Sequence, residues 1–223
     1  MTRSSSGLLN VFEDFCPQSS DTALVVTGVD YMHHSEIREV RYHLEDERVV
    51  VESSRLVRDG THVRLGNIWN GRLIFSDAGT VHSDLDISFR GLAEQPFRAA
   101  DGLFYTQDSE VWLDGKKLIG RFDGYDEVCH PTVDGREVYF EAKRADPLFP
   151  GSAKGWQVLR YHLDLRTIEL VLAHGANPYV YDGKLFHSRW SDALRGFETA
   201  AIPIPRSPVV ISGQTAAAMT VPA

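Results

Sequence analysis

His130-Pro131-Thr132-Val133-Asp134-Gly135-Arg136-Glu137-Val138-Tyr139-Phe140, then Trp156-Gln157-Val158-Leu159-Arg160-Tyr161-His162-Leu163-Asp164 and Ile168-Glu169-Leu170-Val171-Leu172, is the stretch whose reading decides the fold. The first segment sets aromatic and aliphatic residues around an Asp-Gly pair, where glycine accepts the positive φ that a tight hairpin turn demands. The second segment reads as the returning strand and the third as a β-branched outer strand, so the whole is one antiparallel meander. A further Pro-x-x-x-Asp-Gly opening begins at Pro178, with Asp182-Gly183 in its turn.

The opening strand recurs outward from this stretch as Asn70-Gly71-Arg72-Leu73-Ile74-Phe75-Ser76, Asp101-Gly102-Leu103-Phe104-Tyr105-Thr106 and Asp182-Gly183-Lys184-Leu185-Phe186-His187-Ser188. The glycines step by 31, 33 and 48 residues, the last step being stretched by an insertion at 147–155. The returning strand also repeats: Arg41-Tyr42-His43-Leu44 is identical to Arg160-Tyr161-His162-Leu163, with an acidic residue and a β-branched strand start following at the same offsets. With a three-strand unit at 22–52, this makes five units. No segment carries a 3.6-residue apolar period, so the spacing predicts an all-β repeat fold, a small propeller of five blades, with four or six left open. Residues 1–21 read as a lead-in and 22–205 as the propeller. In 206–223, Val209-Val210-Ile211 reads as a strand closing on the first unit or as an isolated edge strand, followed by a disordered tail.

Composition narrows the function. The chain has 223 residues and a formal net charge of -8, with a pI near 5.6. This argues against a nucleic-acid or anionic-membrane partner, because both need clustered Lys and Arg. Two cysteines, Cys16 and Cys129, have neither disulfide-framework nor zinc-ribbon spacing and read as buried thiols. The sequence shows no secretory apolar core and no run approaching the ~20 apolar residues of a membrane span, which leads to the expectation of a soluble, cytoplasmic protein.

Pro-x-x-Asp-Gly-Arg-x-Val-Tyr-Phe at 131–140, followed by Trp-x-Val-Leu-Arg-Tyr-x-Leu-Asp at 156–164, resembles the blade motif of TolB-like (WD40-like) β-propellers. The likeness is best over 130–173, fair over 96–122 and 176–204, and loose over 22–92. It implies an architecture and leaves chemistry free, since that family includes lipoprotein-assembly partners, peptidase gating domains and oligogalacturonate lyases.

In a propeller, the loops leading into the innermost strands gather around the axis. Gln95, His130 and Asn177 immediately precede prolines, and Asn67 holds a comparable place in Gly66-Asn67-Ile68, so these four are the expected ligand-binding face. Arg144, Arg189 and Trp190, with Glu141, follow opening strands and are expected to form an ionic and stacking wall for a sugar or carboxylate. His34, His82, His130 and His187 recur at blade scale, and a ring of imidazoles would suit a divalent Mn, Fe or Zn ion, with His130 and His187 as the candidate metal ligands. Cys129-His130-Pro131 faintly resembles the oligogalacturonate lyase blades, which bind a metal in this way. Asp123, Asp126 and Glu127 offer carboxylates for acid and base work. Trp69, Trp112 and Trp156 read as packing between blades. The expectation is therefore a module that binds a small molecule, a carbohydrate or a protein partner on its axial face; the alternative is a metal-dependent lyase or hydrolase of acidic carbohydrate.

Overall fold

The computed structural model describes residues 12, 14–28, 34–87, 89, 91–122, 124–144, 155–193, 196–205 and 209–211. Among them there is no helix, and the strands form four sheets, as the all-β expectation requires. No helix is thus long and apolar enough to cross a membrane. Asp123, residues 147–154 of the insertion and the tail from residue 212 lie outside the described residues.

The chain runs as five successive antiparallel meanders. The first holds β1 (Asp14–Pro17), β2 (Thr22–Gly28), β3 (His34–Glu45) and β4 (Arg48–Thr61). The second holds β5 (Arg64–Trp69), β6 (Arg72–Asp77) and β7 (Thr80–His82), and the third β8 (Glu94–Ala99), β9 (Gly102–Gln107), β10 (Glu110–Leu113) and β11 (Lys116–Ile119). The fourth holds β12 (Tyr125–Asp134), β13 (Glu137–Arg144), β14 (Trp156–His162) and β15 (Ile168–Leu172), and the fifth β16 (Ala176–Tyr181), β17 (Lys184–Ser191) and β18 (Gly196–Pro203). The first and fifth merge into one seven-stranded sheet through a single strand pair, Ala200 opposite Arg48. β19 (Val209–Val210) pairs with β15, so the expected closing strand extends the fourth meander and does not join the first. The lead-in is corrected too: β1 pairs with β2 and is buried along its whole length, so the first meander begins before residue 22.

Side-chain alternation explains how the meanders hold together. In a strand, successive residues face opposite sides. The second strand of each meander is apolar on both, which is why its sequence reads as an unbroken run. Val138, Phe140 and Ala142 of β13 pack with Phe97, Phe104, Val111 and Ile119 of the third meander, while Tyr139 packs with Leu185 of the fifth. Ala23 and Val25 of β2 face Phe186 and Ala201, and Leu24 and Val26 face Val63, Leu65 and Phe75. Ile74 meets Leu103 and Tyr105 between the second and third. Each of five apolar clusters thus fills the gap between two neighbouring meanders, and the last gap lies between the fifth and the first. The leading strands touch in the same cyclic order: β1 on β5, β5 on β8, β8 on β12, β12 on β16, and β16 on β1.

The hairpins follow their turn residues. Asp182 and Gly183, both at positive φ (49° and 69°), sit between paired Tyr181 and Lys184, the two-residue loop that matches strand twist. In the fourth meander Asp134 pairs with Glu137, so the turn centres on Gly135-Arg136, one residue later than the Asp-Gly pair suggests.

Candidate functional site

Four of the five leading strands carry a bulge. Register shifts lie between Leu65 and Ile68, Glu94 and Phe97, Cys129 and Thr132, and Ala176 and Tyr179. Gln95, His130 and Asn177 are the extra residues, held at φ 51°, 58° and 50°. Left-handed backbone at non-glycine residues costs on the order of 1–3 kcal/mol each and persists only where the surroundings over-determine it. The register also corrects one expectation: Gly66 occupies the place of Gln95, His130 and Asn177, and Asn67 stands where they have proline. Asn67 binds the Arg98 backbone with both ends of its amide, at 2.8 and 3.0 Å, and so ties the second meander to the third.

The bulge residues lie in two buried groups. The Gln95 Oε1 accepts from the His130 amide (3.0 Å) and from the Thr106 hydroxyl (2.8 Å), which turns its Nε2 toward His130 Nδ1 at 3.3 Å. The other ring nitrogen, Nε2, lies 2.9 Å from Asp14 Oδ1. Asp14 also receives Arg64 Nε and Nη2 at 3.0 and 2.9 Å and the Leu65 amide at 2.8 Å. Burial alone would raise the Asp14 pKa, but the charges and hydrogen bonds of Arg64 and His130 outweigh it and hold the carboxyl well below the usual carboxylate range. In a second group, Glu141 accepts from the Cys129 thiol (3.1 Å) and the Asn177 backbone amide (2.5 Å), and Asn177 Nδ2 donates to Ser188 (3.1 Å). The first of these groups joins the first four meanders, and the second joins the fourth to the fifth, with His130 Nδ1 and Glu141 3.9 Å apart between them. A void of about 10 Å³ bordered by Asp14, His130, Thr132 and Asn177 has the size of one water.

Beside this network, a cavity of about 330 Å³ opens between the third and fourth meanders. Arg64 of the second meander borders it, Glu94, Gln95 and Gln107 line it from the third, and Glu127 and Trp156 from the fourth. Trp156 is a correction to the packing expectation, whereas Trp69 and Trp112 do pack against the cluster around Ile74 and Tyr105. Of the expected face, Gln95 lines the cavity, His130 and Asn177 lie one layer behind it, and Asn67 is spent on the backbone. Arg144 is exposed at the end of β13. Arg189 pairs with Glu198 at 2.9 Å, and Trp190, 46% exposed, bonds Asp192. None of these three lines the cavity, and the proposed ionic wall does not form. Asp126 is exposed on β12.

The histidine ring is not assembled. Among His34, His82, His130 and His187, only His130 sits on a leading strand; His82 stacks on Phe75 with ring centres 4.5 Å apart, and His187 lies on β17. Both nitrogens of His130 are engaged within the network, and among the described residues no group of three or more His, Cys, Asp or Glu side chains is placed to hold a metal ion. The residues present do not fit the metal that the lyase reading requires. Both cysteines are buried and unbridged. Burial pushes the Cys16 thiol up to about 12 against the pull of its hydrogen bonds, and burial together with Glu141 raises Cys129 well above its ordinary value.

His187 has a different consequence. Its burial outweighs an opposing backbone hydrogen bond and, with a smaller push from Arg189, lowers its pKa from 6.5 to about 4, and its Nδ1 has no partner among the described residues. The folded state holds it neutral, so its contribution is complete above pH 6.5 and is lost as pH falls toward 4. That loss is about 3 kcal/mol. Urea unfolding across this range is expected to show a markedly shallower acid loss in His187→Gln than in the native chain; parallel curves would contradict the assignment.

Asp14, Arg64, Glu94 and Gln107 escape a sequence reading. Asp14 lies in a stretch without strand pattern, and the other three are polar residues on strands whose partners are set by register. No known protein family, no curated protein and no solved structure matches the chain.

Proposed function

We propose that the chain is a five-bladed β-propeller that binds a small molecule in the cavity between its third and fourth blades. The cyclic contact order of the five leading strands and the five apolar clusters between consecutive meanders support the propeller reading, as does the blade-like motif at 131–164. The observation that carries the function is the cavity itself. Its volume falls at the small end of the roughly 300–1,000 Å³ range of ligand sites, and its walls converge polar side chains from different strands behind a network that fixes them. The binding-module reading is favoured over the lyase because the donor set for a metal is not assembled, while the hydrogen-bonding set is. The net charge of -8 speaks for a small-molecule partner over nucleic acid or an anionic membrane.

The test is a ligand-observed NMR screen of a metabolite library against the native chain and Glu127→Trp. Glu127 lines the cavity and is only partly buried, so the indole projects into the space at the cost of one exposed ion pair. Hits that vanish in the filled variant, with the fold intact by circular dichroism, are expected. No hits, or hits that persist, would overturn the reading.

A further inference from the structure

Four carboxylates face the cavity: Glu94 on β8, Asp108 in the β9–β10 turn, Glu127 on β12 and Glu141 on β13. The cationic lining residue is Arg64, and its guanidinium is engaged with Asp14. Glu141 is satisfied by Cys129 and the Asn177 amide. Glu127 holds Lys143 Nζ at 3.4 Å, and that ammonium also lies 5.8 Å from the centre of the Trp156 ring. This lysine, beside the cavity and not among its lining residues, shows one lining carboxylate and one lining indole receiving a cation together. Glu94 has no ion-pair or hydrogen-bond partner among the described residues.

A second observation is independent of these charges. Gln107 is only 3% exposed and lines the cavity, yet its side-chain amide makes no hydrogen bond among the described residues. Its amide is left open on the cavity side, where it can both donate to and accept from a ligand. A metal ion is not that group, because no three hard ligands converge. An anion would meet an excess of carboxylates. Leu92, 71% exposed, and Trp156 add apolar surface to the lining.

On the reading that this cavity is the ligand site, we infer that its ligand is a small organic ammonium compound. Its charged nitrogen lies against Glu94, a hydroxyl or carbonyl pairs with the Gln107 amide, and its ring or carbon skeleton rests on Trp156 and Leu92. Charge-assisted hydrogen bonds contribute about 1.5–3 kcal/mol, so the ammonium is preferred over a neutral isostere by roughly tenfold or more.

The experiment uses two trios, each built on one carbon skeleton and carrying an ammonium, a neutral hydroxyl or a carboxylate: glucosamine, glucose and glucuronate, and phenethylamine, 2-phenylethanol and phenylacetate. Affinities are measured by saturation-transfer NMR at neutral pH for the native chain, Glu94→Gln, Gln107→Leu and the distant surface control Glu52→Gln. The amine of at least one trio is expected to bind roughly tenfold tighter than its neutral mate. Glu94→Gln should erase that preference, Gln107→Leu should weaken the hydroxylated members, and Glu52→Gln should change neither. Equal binding of charged and neutral members, or a preference for the carboxylates, would overturn the ammonium assignment while leaving the cavity as a ligand site. Failure of both amines to bind a chain that yields other hits in the library screen would overturn it equally, whereas a chain with no hits would lose both readings.

Discussion

Replacing Asp14 by alanine is expected to destabilise the protein by about 3–5 kcal/mol, a large part of the roughly 5–15 kcal/mol by which a domain is stable. The carboxylate is almost fully buried and accepts four donors: two from Arg64, one from the Leu65 amide and one from His130. Its removal strands the partly buried guanidinium and leaves a buried amide and an imidazole N–H without acceptors. Each orphaned group keeps its desolvation cost. Asp14→Asn should fall between the native chain and alanine, because the amide oxygen can still accept but its NH₂ must face other donors. Since the native carboxyl is held below its ordinary pKa of 3.8, its contribution is complete above that pH and is lost on further acidification. Urea unfolding followed by tryptophan fluorescence reads all three; a loss below about 1 kcal/mol for alanine would mean that the Asp14 network is not what joins the first four meanders.

The second large effect is expected at Gly66. A Cβ placed there would lie 1.7 Å from the Pro96 carbonyl oxygen and 2.9 Å from that of Ile74, both backbone atoms of neighbouring strands. No rotamer change can relieve that contact, so Gly66→Ala forces β5 and β8 apart. The cost should reach or exceed the upper end of the ~1–3 kcal/mol typical of overpacking. Gly71→Ala is the counterpart: nothing lies within 4 Å of its Cβ, but its φ is 75°, and the change should cost only about 1 kcal/mol. Thermal unfolding of the two variants separates close approach from turn conformation. Similar losses would show that Gly66 serves only its own backbone, as Gly71 does.

The chain made part of its site legible. Gln95, His130 and Asn177 could be picked out because each precedes a proline at the opening of a repeat, and the structure brings Gln95 and His130 into direct contact while Asn177 reaches Glu141. Asn67 shows the limit of that approach: without the bulge register it looks equivalent, yet it occupies the proline position and bonds the Arg98 backbone. Asp14 and Arg64 are 50 residues apart. Nothing local to either foretells their pairing, because an ion pair across meanders depends on which strands come together. Arg189 and Trp190 read as a binding wall from sequence spacing alone, but β17 pairs with β18 and Glu198 takes the guanidinium.

By itself, the sequence determined the all-β class, the strand-rich repeat and most of the hairpins, because two-residue periodicity and the φ demands of Asp-Gly and Asn-Gly turns act over a few neighbouring residues. It also carried the unbroken apolar runs of β2, β9, β13 and β17, although only packing shows that alternate residues of each run serve different neighbours. The buried Asp14 network, the placement of Gly66, the cavity with its open Gln107 and the pairing of β19 with β15 were decided by tertiary structure. Each depends on the distance between residues far apart in the chain, and that distance is set by register and by the closing of five meanders on one another, not by any property of the local sequence.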